Sequence, residues 1–123
     1  ELQNYDEELR HLEGKYGLPD GRLYLALVDG TPAGCIALRK LDEERCELKR
    51  LYVRPAFRGR GLARLLTEQI LRDARAIGYR KILLDTLPFL ESAIRLYRSL
   101  GFTDAPRYND SPLDTTLFLQ RDL

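Results

Sequence analysis

Between Val53 and Leu66 the chain reads VRPAFRGRGLARLL. Upstream of this stretch apolar residues alternate as in a strand; downstream, Leu62, Leu65, Leu66, Ile70, Ala74 and Ile77 recur at the spacing of one helix face. A strand must end and a helix begin within a few residues, across Pro55, Gly59 and Gly61. A strand that feeds a helix long enough to cross a sheet returns as a parallel neighbour, so the junction predicts an α/β arrangement. The same junction carries chemistry. The first N–H groups of a helix have no internal partners, glycine lets a ligand come close to the backbone, and guanidinium forks add charge-assisted hydrogen bonds. Such a loop suits a pyrophosphate.

The rest of the pattern fits around that junction. Leu23 to Val28 reads as a strand, Asp29-Gly30-Thr31-Pro32 as a turn, Ala33 to Leu41 as a second strand, and Cys46 to Val53 as a third. Strict alternation places Glu47, Lys49, Leu51 and Val53 on one face of that third strand, and Cys46, Leu48, Arg50 and Tyr52 on the other. These three strands form an antiparallel meander. Gly78 caps the helix that follows, Lys81 to Thr86 forms the next strand, and Ala93, Leu96, Tyr97 and Leu100 line a second helix closed by Gly101. Thr115 to Gln120 alternates like a last strand. Before all of these, Leu2, Tyr5, Leu9, Leu12 and Tyr16 follow a helical spacing that Gly17, Pro19 and Gly21 halt, which predicts an opening amphipathic helix.

At 123 residues the chain is read as one domain, 1–123. Lys+Arg 20 against Asp+Glu 19 leaves a net charge of +1, so the basic surplus of a nucleic-acid binder is missing, and the arginines between Arg54 and Arg64 suit a small phosphate ligand better. Two cysteines, Cys35 and Cys46, imply neither a disulfide framework nor a zinc site, and they are expected to pack inside strands. No apolar stretch has the length of a membrane span, and no leader pattern opens the chain; the expected location is the cytoplasm, with no membrane partner. His11, the one histidine, belongs to the opening helix and is not placed to serve a nucleophile.

Three phosphate-binding designs compete for the glycine-rich loop. A P-loop needs Lys-Ser or Lys-Thr after its last glycine, where Leu62-Ala63 stands. A dinucleotide-binding turn needs a third glycine where Arg64 stands, and that bulk would hold the helix off the sheet. The third design is that of the Gcn5-related N-acetyltransferase (GNAT) superfamily. Its loop runs Arg or Gln, two residues, Gly, one residue, then Gly or Ala, and Arg58, Gly61 and Ala63 match it. Leu51-Tyr52-Val53-Arg54-Pro55 before it, and Ala93-Ile94-Arg95-Leu96-Tyr97 with Gly101-Phe102 after it, also resemble the superfamily. The resemblance covers roughly Ala33 to Phe102 and implies a GNAT-like α/β (α+β) fold: a mixed sheet in which an antiparallel meander leads into β-α-β-α-β around a splayed central strand pair. The superfamily's usual first strand and helix are expected to be missing ahead of Leu2.

The resemblance implies direct transfer of the acetyl group of acetyl-CoA to a primary amine of a small molecule or a protein, without a metal. The pantetheine arm would lie along Leu51, Tyr52 and Val53, with one of their N–H groups on the thioester carbonyl. Backbone from Arg58 through Gly59, Arg60, Gly61 and Leu62 to Ala63 would bind the pyrophosphate. Tyr97 stands where many members keep the tyrosine that protonates the leaving thiolate, and a phenol is close enough in pKa to a thiol for that exchange. Glu47 matches the glutamate that deprotonates the amine in histone-acetylating members. On the residues alone it is equally a strand carboxylate paired with Lys49 or Arg39, and Asp85 is equally a group that orders the site, meets an amine, or merely ends a strand. Leu90 stands where the superfamily often has an asparagine touching the cofactor. Arg107, Tyr108 and Asn109 in the Asp104 to Asp114 connection favour an acceptor bearing a carboxylate over a polyamine. A homodimer is compatible with the resemblance. A non-catalytic acyl-CoA sensor and a nucleic-acid module built on the arginine cluster are the other readings.

Overall fold

Asp29 and Gly30 both take positive φ, 51° and 79°, the backbone of a two-residue hairpin turn that matches strand twist. The computed structural model, which describes residues 7–11, 20–111 and 115–123, builds outward from that hairpin. It joins β2 (Arg22–Val28) to β3 (Thr31–Lys40), and the Asp42 turn, in which the Asp42 carboxylate accepts from the backbone N–H of Glu44 and Arg45, joins β3 to β4 (Arg45–Val53). A short 3₁₀ turn at Pro55–Phe57 leads to α1 (Leu62–Ile77), then come β5 (Lys81–Thr86), α2 (Glu91–Ser99), a two-residue β6 (Thr103–Asp104) and β7 (Leu117–Asp122). With β1 (Glu7–His11) at one edge, seven strands among the described residues form one sheet in the order β1-β2-β3-β4-β5-β7-β6. All neighbours run antiparallel except β4 and β5, which are parallel, as the strand-to-helix junction predicts.

The opening helix is not formed at Glu7–His11. That segment is a strand, registered from Glu7 opposite Val28 to His11 opposite Tyr24. A five-residue stretch has weak preferences of its own, and the open edge of β2 offers it a ladder of backbone hydrogen bonds that overrides them. His11 therefore belongs to an edge strand. The remaining positions of the expected helix, Leu2, Tyr5, Leu12 and Tyr16, lie outside the described residues. Expected strand ends moved little: the last strand begins at Leu117 rather than Thr115 and runs on to Asp122, and β6 carried no sequence signal in its two residues.

The core lies on the face of the sheet that α1 covers. Leu62, Leu66, Ile70 and Ala74 of α1 pack with Ile36, Leu38, Cys46, Leu48, Ile82 and Leu84 from the strands, and Tyr97 and Phe102 close the cluster. Gly78, at φ 110°, ends α1 and donates its N–H to Ala74 and Arg75.

One irregularity in β4 decides which side chains face the core. Cys35 pairs with Tyr52 and Ala37 with Lys49, so the single residue Ile36 faces both Arg50 and Leu51, and Arg50 takes a φ of 61°. This is a β-bulge. An extra residue reverses the alternation, so Cys46 and Leu48 before the bulge and Leu51 and Val53 after it all contribute to the α1 face. The expected grouping of Glu47 and Lys49 with Leu51 and Val53 is corrected accordingly: Glu47 points to the other face.

Candidate active site

The β4–β5 seam holds for three rungs, Arg45 with Lys81, Cys46 with Ile82 and Glu47 with Leu83, and then the strands part, as a splayed central pair should. Past that last rung, the side of β4 that faced β5 has no strand partner among the described residues. The gap is the mouth of a cleft of about 770 Å³ whose walls include Leu51, Val53, Arg58, Gly59, Gly61, Leu62, Ala63, Asp85, Leu90 and Tyr97. Seven of the nine expected cofactor positions thus line one cavity; Tyr52, half-exposed, and Arg60 are not among its lining residues.

At one end of the cleft lies the start of α1. Its N-cap is Gly61 at φ 80°, so no side chain caps the first turn, and no acidic residue stands in that turn to compete for its N–H groups. Gly59, at φ 78°, has nothing within 4 Å of where a Cβ would sit, leaving the loop open to a ligand. The arginines are partly committed to the protein. Arg58 donates from Nε to the Val53 carbonyl at 2.8 Å and lies over the Tyr52 ring; Arg54 donates to the Pro32 carbonyl at 2.7 Å and Arg64 to Ser99 Oγ at 2.7 Å. They shape the loop as well as charging it, a role the sequence did not disclose. An unobstructed helix end, a glycine loop and a stretch of unpaired strand backbone together fit a pyrophosphate with an extended amide-bearing arm.

Tyr97 lines the same cleft. It is 6% exposed and packs against the Phe102 ring at 5.6 Å. Burial, and then the charge of Asp85, push its phenol up to about 12. Tyr97 is thus both a core aromatic and a cleft residue.

Glu47 sits at the last rung of the seam and is 1% exposed. Both expected partners are present, Arg39 Nε at 2.9 Å and Lys49 Nζ at 3.7 Å, but the group is buried where an exposed carboxylate would be the ordinary strand outcome. The Tyr108 hydroxyl donates a third contact, to Glu47 Oε2, and Tyr108 lies edge-on to Phe118 at 5.5 Å. Burial and the Glu47 carboxylate raise the Tyr108 phenol far above its ordinary value, so it remains a donor. The neighbouring Asn109 donates from Nδ2 to Asp85 Oδ2 at 2.7 Å. Consecutive residues of one connection thereby tie a carboxylate on β4 to one on β5. Arg107, singled out with them as a possible carboxylate binder, is instead turned over the Phe118 ring at 5.1 Å, with Nη1 donating to the Ser111 carbonyl at 3.1 Å. The sequence marked the segment as polar but not which groups it would meet.

Cys46 is fully buried and burial pushes its thiol up to about 12; Cys35, half-buried, donates to the Arg50 carbonyl at 3.2 Å and is also raised by burial. Both are packing residues, as expected. Among the described residues no group of three or more His, Cys, Asp or Glu side chains is arranged to hold a metal ion, and no helix is long and apolar enough to cross a membrane.

Comparison with known proteins points the same way as the geometry. The model of the acetyltransferase (GNAT) family matches residues 2–102. An uncharacterised N-acetyltransferase of Schizosaccharomyces pombe is 38% identical over 124 residues, spanning 99% of this chain and 76% of its own. The N-acetylaspartate synthetase of Homo sapiens is 34% identical over 97 residues, which are 77% of this chain and 32% of that protein. A GNAT family acetyltransferase of Elizabethkingia anophelis, solved with acetyl-CoA bound, superposes with a TM-score of 0.78 at 20% identity, covering 95% of this chain and 98% of that one.

Proposed function

The chain belongs to the GNAT acetyltransferase family, and from that premise we propose that it transfers the acetyl group of acetyl-CoA to the primary amine of a small molecule. One observation carries the reading: the bare N-terminus of α1 and the unpaired backbone of β4 open into the same cleft as Tyr97. The relation to N-acetylaspartate synthetase supports a small-molecule acceptor over a protein one.

Bound acetyl-CoA would supply an activated acetyl group, and the amine would displace the thiol directly, the N–C bond forming as the C–S bond breaks. The Gly59–Ala63 backbone and the start of α1 hold the pyrophosphate; Leu51, Tyr52 and Val53 offer main-chain groups to the pantetheine amides. A backbone N–H of that stretch polarises the thioester carbonyl, a contact worth about 3 kcal/mol where negative charge develops. Tyr97 gives its phenolic proton to the departing sulfur and recovers it from solvent. Glu47 takes the proton lost by the amine through water, since neither it nor Tyr108, whose hydroxyl donates to it, lines the cleft.

The test is calorimetric titration with acetyl-CoA at low ionic strength, paired with a thiol-release assay on pooled amines. Binding with amine-dependent thiol release is expected. No binding would end the reading, whereas binding without release from any amine would make the protein an acyl-CoA sensor.

A further inference from the structure

Lys49 and Asp85 occupy matching positions across the splay. Each lies two residues beyond the last rung, Glu47 with Leu83, and before the bulge at Arg50, so both side chains leave the sheet on the face that carries Glu47. Both line the cleft, Lys49 with its side chain 32% exposed.

Their charges are unequally matched by the protein. On the β4 side one carboxylate, Glu47, meets two cations, Arg39 and Lys49, and the closer of these, Arg39, is the one bonded to Oε1. That leaves one positive charge in surplus, on the lysine that faces the cleft. On the β5 side the Asp85 carboxylate has as its hydrogen-bond partner the neutral amide of Asn109, and its charge is felt by Tyr97 across the cavity. A surplus cation and an anion matched only by a neutral amide therefore line the same cleft. Charges held in a confined site favour the ligand that neutralises both.

We propose that the acceptor is an amino acid, its ammonium received by Asp85 and its carboxylate by Lys49. The proposal rests on the acetyltransferase reading and refines it. It also relocates carboxylate recognition, since Arg107 is occupied by Phe118 and by its own loop. Asn109 orients Asp85 and is a positioning residue.

The experiment sets α-amino acids against the amines left when their carboxylate is removed: L-phenylalanine with phenethylamine, L-alanine with ethylamine, L-lysine with cadaverine. Within at least one pair the acid should be used with a kcat/KM about 10- to 100-fold higher, the range of a hydrogen-bonded ionic contact. Lys49→Met should lower kcat/KM for the acid by a similar factor and shrink the ratio within the pair. Asp85→Asn should raise the acceptor's KM, with acetyl-CoA titration serving as the control for folding. Asn109→Ala should move acceptor KM in the same direction as Asp85→Asn, by less. Amines preferred to acids throughout, or an acid preference that survives Lys49→Met, would overturn the assignment while leaving acetyl transfer intact. If acetyl-CoA fails to bind, or no amine of either kind releases thiol, the acetyltransferase reading falls and this one with it.

Discussion

In the proposed transfer Tyr97 hands a proton to the departing sulfur, and burial keeps that proton on the phenol beforehand. Its phenol lies at about 12 against an ordinary value of 10.0. Tyr97→Phe keeps the ring and its packing on Phe102 and removes only the hydroxyl, so the fold should stand while kcat falls about 100-fold with acetyl-CoA affinity retained. An unchanged kcat in steady-state assays would return Tyr97 to a purely structural role. The same group sets an alkaline limit. The folded state prefers the protonated phenol, so its contribution is intact below about pH 10, where both states hold the proton, and is lost as pH climbs toward 12. Two units correspond to about 3 kcal/mol, and urea melts of the wild type and Tyr97→Phe between pH 9 and 12 should show the variant losing less. Gly34 makes a different demand. A Cβ there would stand 2.6 Å from the Tyr52 carbonyl oxygen and 3.5 Å from Leu66 Cδ1, so Gly34→Ala should cost about 1–3 kcal/mol in a denaturant melt by forcing β3 from β4.

At the scale of elements, the start of α1 is where stability and function pull apart. Gly61 leaves the first-turn N–H groups bare, which suits an anionic ligand and denies the helix a cap. An aspartate there would supply a cap worth about 0.5–2 kcal/mol against an αL cost of about 1–2 kcal/mol, so Gly61→Asp should melt within a few degrees of the wild type. Its carboxylate would occupy the place of the phosphates, and acetyl-CoA should bind at least about tenfold more weakly by calorimetry. If affinity is unchanged, the pyrophosphate does not lie at this helix end. That junction was legible in the sequence because glycine punctuation and a change of period are local signals, as was the Asp29-Gly30 hairpin. The bulge at Arg50 was not, because a residue other than glycine at positive φ leaves no trace in an alternating run. With it the facing of Glu47 was lost too. The ties from Tyr108 to Glu47 and from Asn109 to Asp85 join residues 61 and 24 positions apart, and no periodicity encodes a contact of that kind. The strand at Glu7–His11 was misread for a related reason: its identity depends on the edge it pairs with.

At the scale of the whole molecule the described residues form two half-sheets, β1 to β4 and β5 to β7, fastened by three parallel rungs and by one shared apolar cluster in which α1 packs on β2, β3 and β4. Such a seam leaves β4 from Leu51 to Val53 open on the side of the cleft, and its amides there are closed only when something is laid against them. A ligand that binds the native state alone stabilises it by about 2.7 kcal/mol at 100 times its Kd, which for a chain of this size is a rise in melting temperature of about 10 °C. That rise depends on saturation and not on where the ligand lies, so the position must be read separately. Hydrogen exchange does so. Acetyl-CoA should slow exchange both at Leu51–Val53 and at Gly59–Arg64, whereas adenosine diphosphate, which carries the pyrophosphate without the pantetheine arm, should slow it at Gly59–Arg64 alone. A melting temperature raised by acetyl-CoA with no added protection at Leu51–Val53 would mean that the arm does not bridge the splay, and the thioester would then be beyond the reach of Tyr97.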